Sequence, residues 1–409
     1  MSDEHRQYQS RAEARRAREA REAAMARRKR GRGAAVGIAI FIALAVVGGG
    51  GYFVFDKLRG DAAPDYASGE PGPEVVVVVN SGDTASQIGA QMAEMNVVAS
   101  SAAFYEAAVQ NPAMSSVQPG YYHLASHLPA SEAVAALVDP ASRVGSLVIS
   151  EGRQLHDTRD VNTGAVKRGI YTLISEASCL PGASGDLDCV TVDELDAAGA
   201  GSDLAALGVP AWALDQVRVV PDRSRQLEGL IAAGSWDFDP AADATEILRG
   251  LVSGSAAKYE ATGITTAGAN VGLNPYEVLI AASLVERESL PADFGKVARV
   301  IVNRLAVPQK LEFDSTVNYA LDTTELATTD QDRATVTPWN TYAKEGLPAT
   351  PISSPSIAAV QAVETAPPGD WLYFVTIDAQ GTTLFTRSYE EHLANSKLAV
   401  ESGILRSGR

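Results

Sequence analysis

Residues 274–305 read NPYEVLIAASLVERESLPADFGKVARVIVNRL. Asn274 followed by Pro275 marks a helix start, because the Asn side chain can accept an orphan N–H and Pro at the first helical position gives up no hydrogen bond. From there Leu279, Ala282, Ser283, Glu286 and Leu290 recur at helical spacing and fall along one line. Glu286 thus shares a face with small and apolar residues, whereas Glu288 points roughly 200° away around the helix. An apolar setting disfavours the charged form of a carboxylate and raises its pKa, which a general acid for glycosidic cleavage requires. A Glu that ends a helix face, or that pairs with Arg287 or Arg304, fits the same pattern.

Other catalytic signatures are weak. The five histidines (His5, His123, His127, His156, His392) are scattered, with no HExxH or other zinc-ligand spacing, and no GxSxG elbow occurs. One SxxK, Ser255 to Lys258, stands without the SxN and KTG elements of serine acyl enzymes. A metal hydrolase is therefore not expected, and an acyl enzyme acting through Ser255 is a minor alternative.

The 409 residues, 46% hydrophobic and 21% charged, describe a folded protein of two or three domains with appendages. Its net charge of −16 is uneven. Residues 1–33 hold eleven of the 34 Lys and Arg and five of the 50 acids, which leaves −22 on residues 34–409. An acidic body repels phosphate polymers, so nucleic acid is not an expected partner.

Ala34 to Phe55 (AAVGIAIFIALAVVGGGGYFVF) is 22 residues without a charge. As a helix it would be roughly 33 Å long and would span a bilayer core. The Arg-rich arm before it marks the cytoplasmic side, so the expected topology is a single-pass cell-membrane protein with its bulk outside the cytoplasm. A cleaved leader is the competing interpretation, but both arm and apolar run are long for one. Residues 56–73, rich in Gly, Pro, Asp and Ala, read as a linker.

After the linker, the β-branched run Val75–Val79 predicts a strand, followed by two amphipathic helices and a returning turn and strand at Pro119–Leu124. SLVISEGRQLHDT, from Ser146, predicts a second strand-turn-helix, and residues 190–260 read as mainly helical. Cys179 and Cys189 are expected to close a small loop outside the cytoplasm; their spacing fits no CxxC redox or metal motif.

An ordered series of motifs resembles the YceG/MltG-like endolytic murein transglycosylases. The series starts with Gly82-Asp83-Thr84 and Pro119-Gly120-Tyr121, continues with Leu227-Glu228-Gly229 and Ala282-Ser283-Leu284-Val285-Glu286-Arg287-Glu288, and then Val302-Asn303-Arg304-Leu305. Asp314 to Tyr319, Trp339-Asn340-Thr341-Tyr342 with Gly346-Leu347-Pro348, Tyr373-Phe374-Val375 and Glu391-His392 complete it. Departures occur at Leu230–Phe238, where the family often has a proline-aromatic run, at Trp339 in place of Tyr, and at Ala349 in place of a second Pro.

On this resemblance the basic arm (1–33), transmembrane helix (34–55) and linker (56–73) read above are followed by a small LysM-like α/β module (74–144) and a larger mixed catalytic domain (145–405), an α+β protein. It implies cleavage of the MurNAc–GlcNAc bond of nascent peptidoglycan to leave 1,6-anhydroMurNAc ends. On this resemblance Glu286, the first Glu of its pattern, is expected to act as acid and then as base. Ser283, Glu288, Asp314, Thr316, Tyr319, Asn340 and Tyr342 are the expected substrate contacts. No cofactor or metal is called for. The implied partners are peptidoglycan glycan strands and, through residues 34–55, the lipid bilayer; cell-wall synthesis enzymes are further candidates. A non-catalytic peptidoglycan-binding scaffold, working through the small module, is the alternative function.

Overall fold

The computed structural model describes residues 63–181, 186–324 and 328–403. The arm, the expected span and residues 56–62 of the linker lie outside the described residues. Among those described, no helix is long and apolar enough to cross a membrane. Every element below belongs to the unit that begins at Asp65.

The valine run forms β1 (Glu74–Val79), burying Val77 and Val79. Helices α1 (Ala85–Glu94) and α2 (Ser101–Gln110) follow, α1 opened by a capping box in which Thr84 and Gln87 satisfy each other's backbone N–H. The chain then returns as β2 (Gly120–Ala125), antiparallel to β1, with Val77 opposite Tyr122. Helix α3 (Ala130–Val138) and β3 (Arg143–Val144), paired to the free edge of β2, complete the module. Met92, Phe104, Val134 and Leu137 fill its interior, while the buried members of a separate core cluster all come from 147–363.

In the larger part, β4 (Ser146–Ile149) is followed by a turn and then by the hairpin β5 (Thr158–Asp160) and β6 (Val166–Lys167), before helix α4 (Ile170–Ala177). The expected strand-turn-helix thus has a hairpin inserted before its helix. Backbone hydrogen bonds from Gly152 N to Ser354 O and from Ser354 N to Arg153 O hold the chain extended, which a helix there would break. Next come β7 (Leu180–Pro181), β8 (Leu187–Asp188), α5 (Val192–Gly199) and α6 (Leu214–Arg218). The stretch expected to be mainly helical also contains β9 (Gly234–Asp237), antiparallel to β4 with Trp236 opposite Leu147. Cross-strand pairing of this kind overrides local propensity.

Helices α7 (Ala244–Glu260) and α8 (Ile264–Ala267) lead to α9 (Pro275–Glu288), which begins at the anticipated place: Asn274 and Glu277 form a capping box and Pro275 occupies the first turn. Helix α10 (Phe294–Ala306), α11 (Asp314–Ala320), β10 (Thr323–Thr324, parallel to β5), α12 (Asp330–Ala334) and α13 (Ile357–Glu364) follow. The hairpin β11 (Tyr373–Thr376) and β12 (Thr383–Thr386) and the helix α14 (Tyr389–Ser402) close the chain.

Helix α9 is the centre of the core. It packs on α10 and α13, and Tyr276 and every residue from Val278 to Val285 are buried. A helix buried on all sides over two turns has no apolar stripe, so periodicity does not reveal which face meets a cleft.

Candidate active site

Helix α9 leaves the core at its last turn, where Glu286, Arg287 and Glu288 are only partly buried. Glu288 faces a cleft of about 1000 Å³ whose walls come from α9, α10, α11, the β5–β6 turn, β11 and α14. Burial pushes the Glu288 carboxyl up to about 7, with the Asp314 charge adding to the effect and the Ser315 hydroxyl and N–H opposing it. At neutral pH a large fraction of this group therefore carries its proton.

Asp314, at the first turn of α11, is held from several sides. Its Oδ1 accepts from Thr328 Oγ1 at 2.6 Å, Arg333 Nε at 3.1 Å and Tyr342 Oη at 2.9 Å. Its Oδ2 accepts from Arg333 Nη2 at 3.1 Å. Burial and the Asp314 charge raise the Tyr342 phenol, so it stays protonated and donates. Asp314 is thus a fixed negative charge beside Glu288, its lone pairs already engaged.

The opposite wall rests on Arg304 of α10, which is 6% exposed. Its Nε donates to Leu372 O at 2.6 Å, its Nη1 to Leu311 O at 2.5 Å, and its guanidinium lies 5.3 Å from the centre of the Tyr373 ring. Tyr373 stacks on His392 at 5.1 Å, and both line the cleft with Tyr389 and Phe374. Burial, then the Arg304 charge, lowers the His392 pKa, which leaves a neutral imidazole in an aromatic wall suited to sugar faces.

Of the residues expected from sequence, Glu288, Asp314 and Tyr342 line the cleft. Glu286 does not: its Oε2 accepts the backbone N–H of Ser356 at 2.9 Å, at the start of α13. Helical spacing puts Glu286 and Glu288 on opposite sides of α9, and the side taken by Glu286 is the one that meets α13. Ser283 is fully buried, donating to Ile280 O at 2.7 Å and accepting from Ile352 N at 3.0 Å. Thr316 is fully buried between Phe313 O and Thr341 Oγ1. Tyr319 is buried too, its hydroxyl donating to Glu228 at 3.2 Å and its ring lying under Arg225. Asn340, 1% exposed, donates to the carbonyls of Asp332, Arg333 and Thr335 and so shapes the loop that delivers Tyr342. These four residues build the walls from behind.

Sequence reasoning nominated neither Arg304 nor Arg333, Tyr373 and His392. Arg304, Tyr373 and His392 do fall inside the motif blocks quoted above; Arg333 carried no signal. Ser255 of the SxxK is buried, accepting from Ala232 N and donating to Leu251 O, and Lys258 lies over the Trp236 ring, so the pair serves packing. Cys179 and Cys189 form a disulfide across the β7–β8 hairpin. Among the described residues no group of three or more His, Cys, Asp or Glu side chains could hold a metal ion.

Residues 77–398 match the model of the YceG-like family, which takes in the module, the cleft and all the elements between. The chain belongs to the YceG-like family. It is 29% identical over 168 residues to the endolytic murein transglycosylase of Bacillus subtilis, covering 41% of this chain and 46% of that one. With the endolytic murein transglycosylase of Streptococcus pneumoniae D39 it shares 23% identity over 382 residues, 89% of this chain and 65% of the relative. The matches thus span about half to two thirds of those relatives' lengths. The crystal structure of a YceG-like protein from Listeria monocytogenes aligns with a TM-score of 0.44 at 21% identity, over 79% of this chain and 99% of that one.

Proposed function

We propose that this YceG-like protein is an endolytic murein transglycosylase in which Glu288 is the acid and then the base. The observation that carries this reading is a protonatable carboxyl inside a cleft large enough for sugars, with no second partly buried carboxylate in the cleft, among the described residues, that is not already hydrogen-bonded. Asp314 and Asp160 already accept several hydrogen bonds each, and Glu312 is exposed at the rim. Hydrolytic glycosidases use two carboxylates. One suffices when the attacking hydroxyl belongs to the substrate.

Neutral Glu288 donates its proton to the oxygen between MurNAc and GlcNAc, and the C1–O bond breaks toward the GlcNAc side. Positive charge develops on the MurNAc ring, near the fixed Asp314 carboxylate, which stabilises it electrostatically. The C6 hydroxyl of the same MurNAc attacks C1, and its proton passes to the Glu288 carboxylate. The product is a 1,6-anhydro ring, the acid is regenerated, and no water is consumed.

The sequence supports placing this chemistry outside the cytoplasm, anchored through residues 34–55, with glycan strands as substrate. The test is incubation of the full-length protein in detergent with uncrosslinked glycan strands and mass spectrometry of the ends. Glu288→Gln is expected to lower formation of anhydro ends by roughly 10²- to 10⁴-fold, while Glu286→Gln retains cleavage. Wild-type turnover by Glu288→Gln, or reducing ends in place of anhydro ends, refutes the mechanism.

A further inference from the structure

Beside the cleft, three cations converge on one turn of a body that is otherwise strongly acidic. The turn Ser150–Arg153 leaves β4 with Gly152 in the left-handed region at φ 68°, and Gly152 N donates to Ser354 O at 2.8 Å. Lys167, on β6, donates its ammonium to Gly152 O at 3.3 Å. A Cβ added to Gly152 would lie 3.6 Å from Arg287 Nη1, so the Arg287 side chain runs along the same piece of backbone. Arg153, the next residue, is fixed by Ser150 Oγ at 2.9 Å from its Nη2 and by the Arg168 carbonyl.

These charges are only partly balanced: Arg287 acts on the neighbouring Glu288 carboxyl and pulls its pKa down. Arg168 is paired with Glu176, but among the described residues no ion pair involves Lys167, Arg153 or Arg287. Burial, then Arg287 and Arg153, push the Lys167 ammonium down to about 8. Like charges gathered this way repel, and a bound anion would relieve them. Lys167 and Arg287 line a recess of about 30 Å³ together with Gly152, His156, Thr158 and Arg168; Arg153 stands outside its lining. The recess has room for one small group, a carboxylate rather than a sugar ring. Arg287 also lines the large cleft and is adjacent in sequence to Glu288, so the recess and the cleft share a wall.

We propose that this recess is an anion subsite that holds a carboxylate carried by the glycan strand next to the scissile bond, with Lys167 and Arg287 as its ion-pair partners. The inference rests on the murein-cleavage reading for its ligand, and it adds a charge requirement to that reading. Two murein groups supply such a carboxylate: the stem peptide, and the lactyl group of muramic acid once the peptide is removed.

The experiment measures equilibrium binding to the full-length protein carrying Glu288→Gln, so that no strand is cut. Three strands are compared: one bearing stem peptides, the same strand with its stem carboxylates amidated, and one stripped of peptide. Adding Lys167→Met is expected to weaken binding about tenfold for a carboxylate-bearing strand, as loss of one charge-assisted contact. Lys167→Arg, which keeps the charge, is expected to restore most of it and reports that the fold is intact. Loss confined to the stem-bearing strand assigns the stem peptide; loss confined to the stripped strand assigns the lactyl group. Unchanged affinity for all three strands, or an equal loss that includes the amidated one, overturns the subsite. Failure of the wild-type protein to form anhydro ends, with Lys167-dependent binding intact, overturns the cleavage reading alone.

Discussion

Two glutamates two positions apart on α9 end in different surroundings, and their chemistry follows from that. Glu288 sits partly buried in the cleft, where burial and the Asp314 charge raise its pKa, so its protonated form persists to about pH 7. An acid must be protonated to act, so anhydro-product formation is expected to fall as pH rises through about 7; a pH–rate profile under saturating glycan checks this. Glu286 instead accepts the Ser356 N–H at the start of α13. A carboxylate there also complements the positive end of that helix. Glu286→Ala leaves the N–H without its partner and is expected to cost about 1–3 kcal/mol of stability in urea unfolding, with cleavage retained.

At the scale of elements, α9 is a rod driven through the core with its working end at the surface. The Asn274–Glu277 capping box starts it and complete burial of its middle holds its axis. The last turn packs between α10 and α11 and brings Glu288 into the same cleft as Asp314. Because the middle is clamped on all sides, loosening the first turn should not reach the carboxyl some fourteen residues on. Asn274→Ala is therefore expected to cost about 1 kcal/mol in thermal or urea unfolding, as for other caps, while kcat stays at its wild-type value. A parallel drop in kcat would mean that the helix transmits strain along its length.

Across the whole molecule, Glu228 ties distant parts of the fold together. It is buried and accepts from Leu155 N at 3.3 Å and Tyr319 Oη at 3.2 Å, joining the segment after β4 to α11 behind the cleft. Burial raises its pKa to about 7, against hydrogen bonds and the Arg225 charge that pull it down. The folded state therefore binds its proton more tightly than the unfolded chain, whose Glu titrates near 4.3. The sign follows from linkage: this contribution is fully present below about pH 4.3 and is lost as pH rises through about 7. Glu228→Gln is expected to flatten the pH dependence of unfolding between those limits, raising stability at pH 8 relative to wild type. Chemical denaturation at pH 5 and pH 8 checks it.

The amino-acid sequence alone announced what depends on neighbours along the chain: the valine strand and its two helices, the returning strand at Gly120, the Asn274–Pro275 helix start, and the motif order that marks the family. These rest on local propensity, capping and spacing, which a linear string records. It missed the β5–β6 hairpin and β9, whose backbone partners lie far away in sequence. The choice between Glu286 and Glu288 was likewise closed to it, because α9 is apolar on every side and its periodicity does not say which side opens to solvent. Tertiary packing made that choice: the start of α13 engaged Glu286, and Glu288 was left lining the cleft. Arg304, Arg333 and the Lys167–Arg287 recess came together for the same reason, since charges far apart in the chain acquire a shared environment only when the fold brings them side by side.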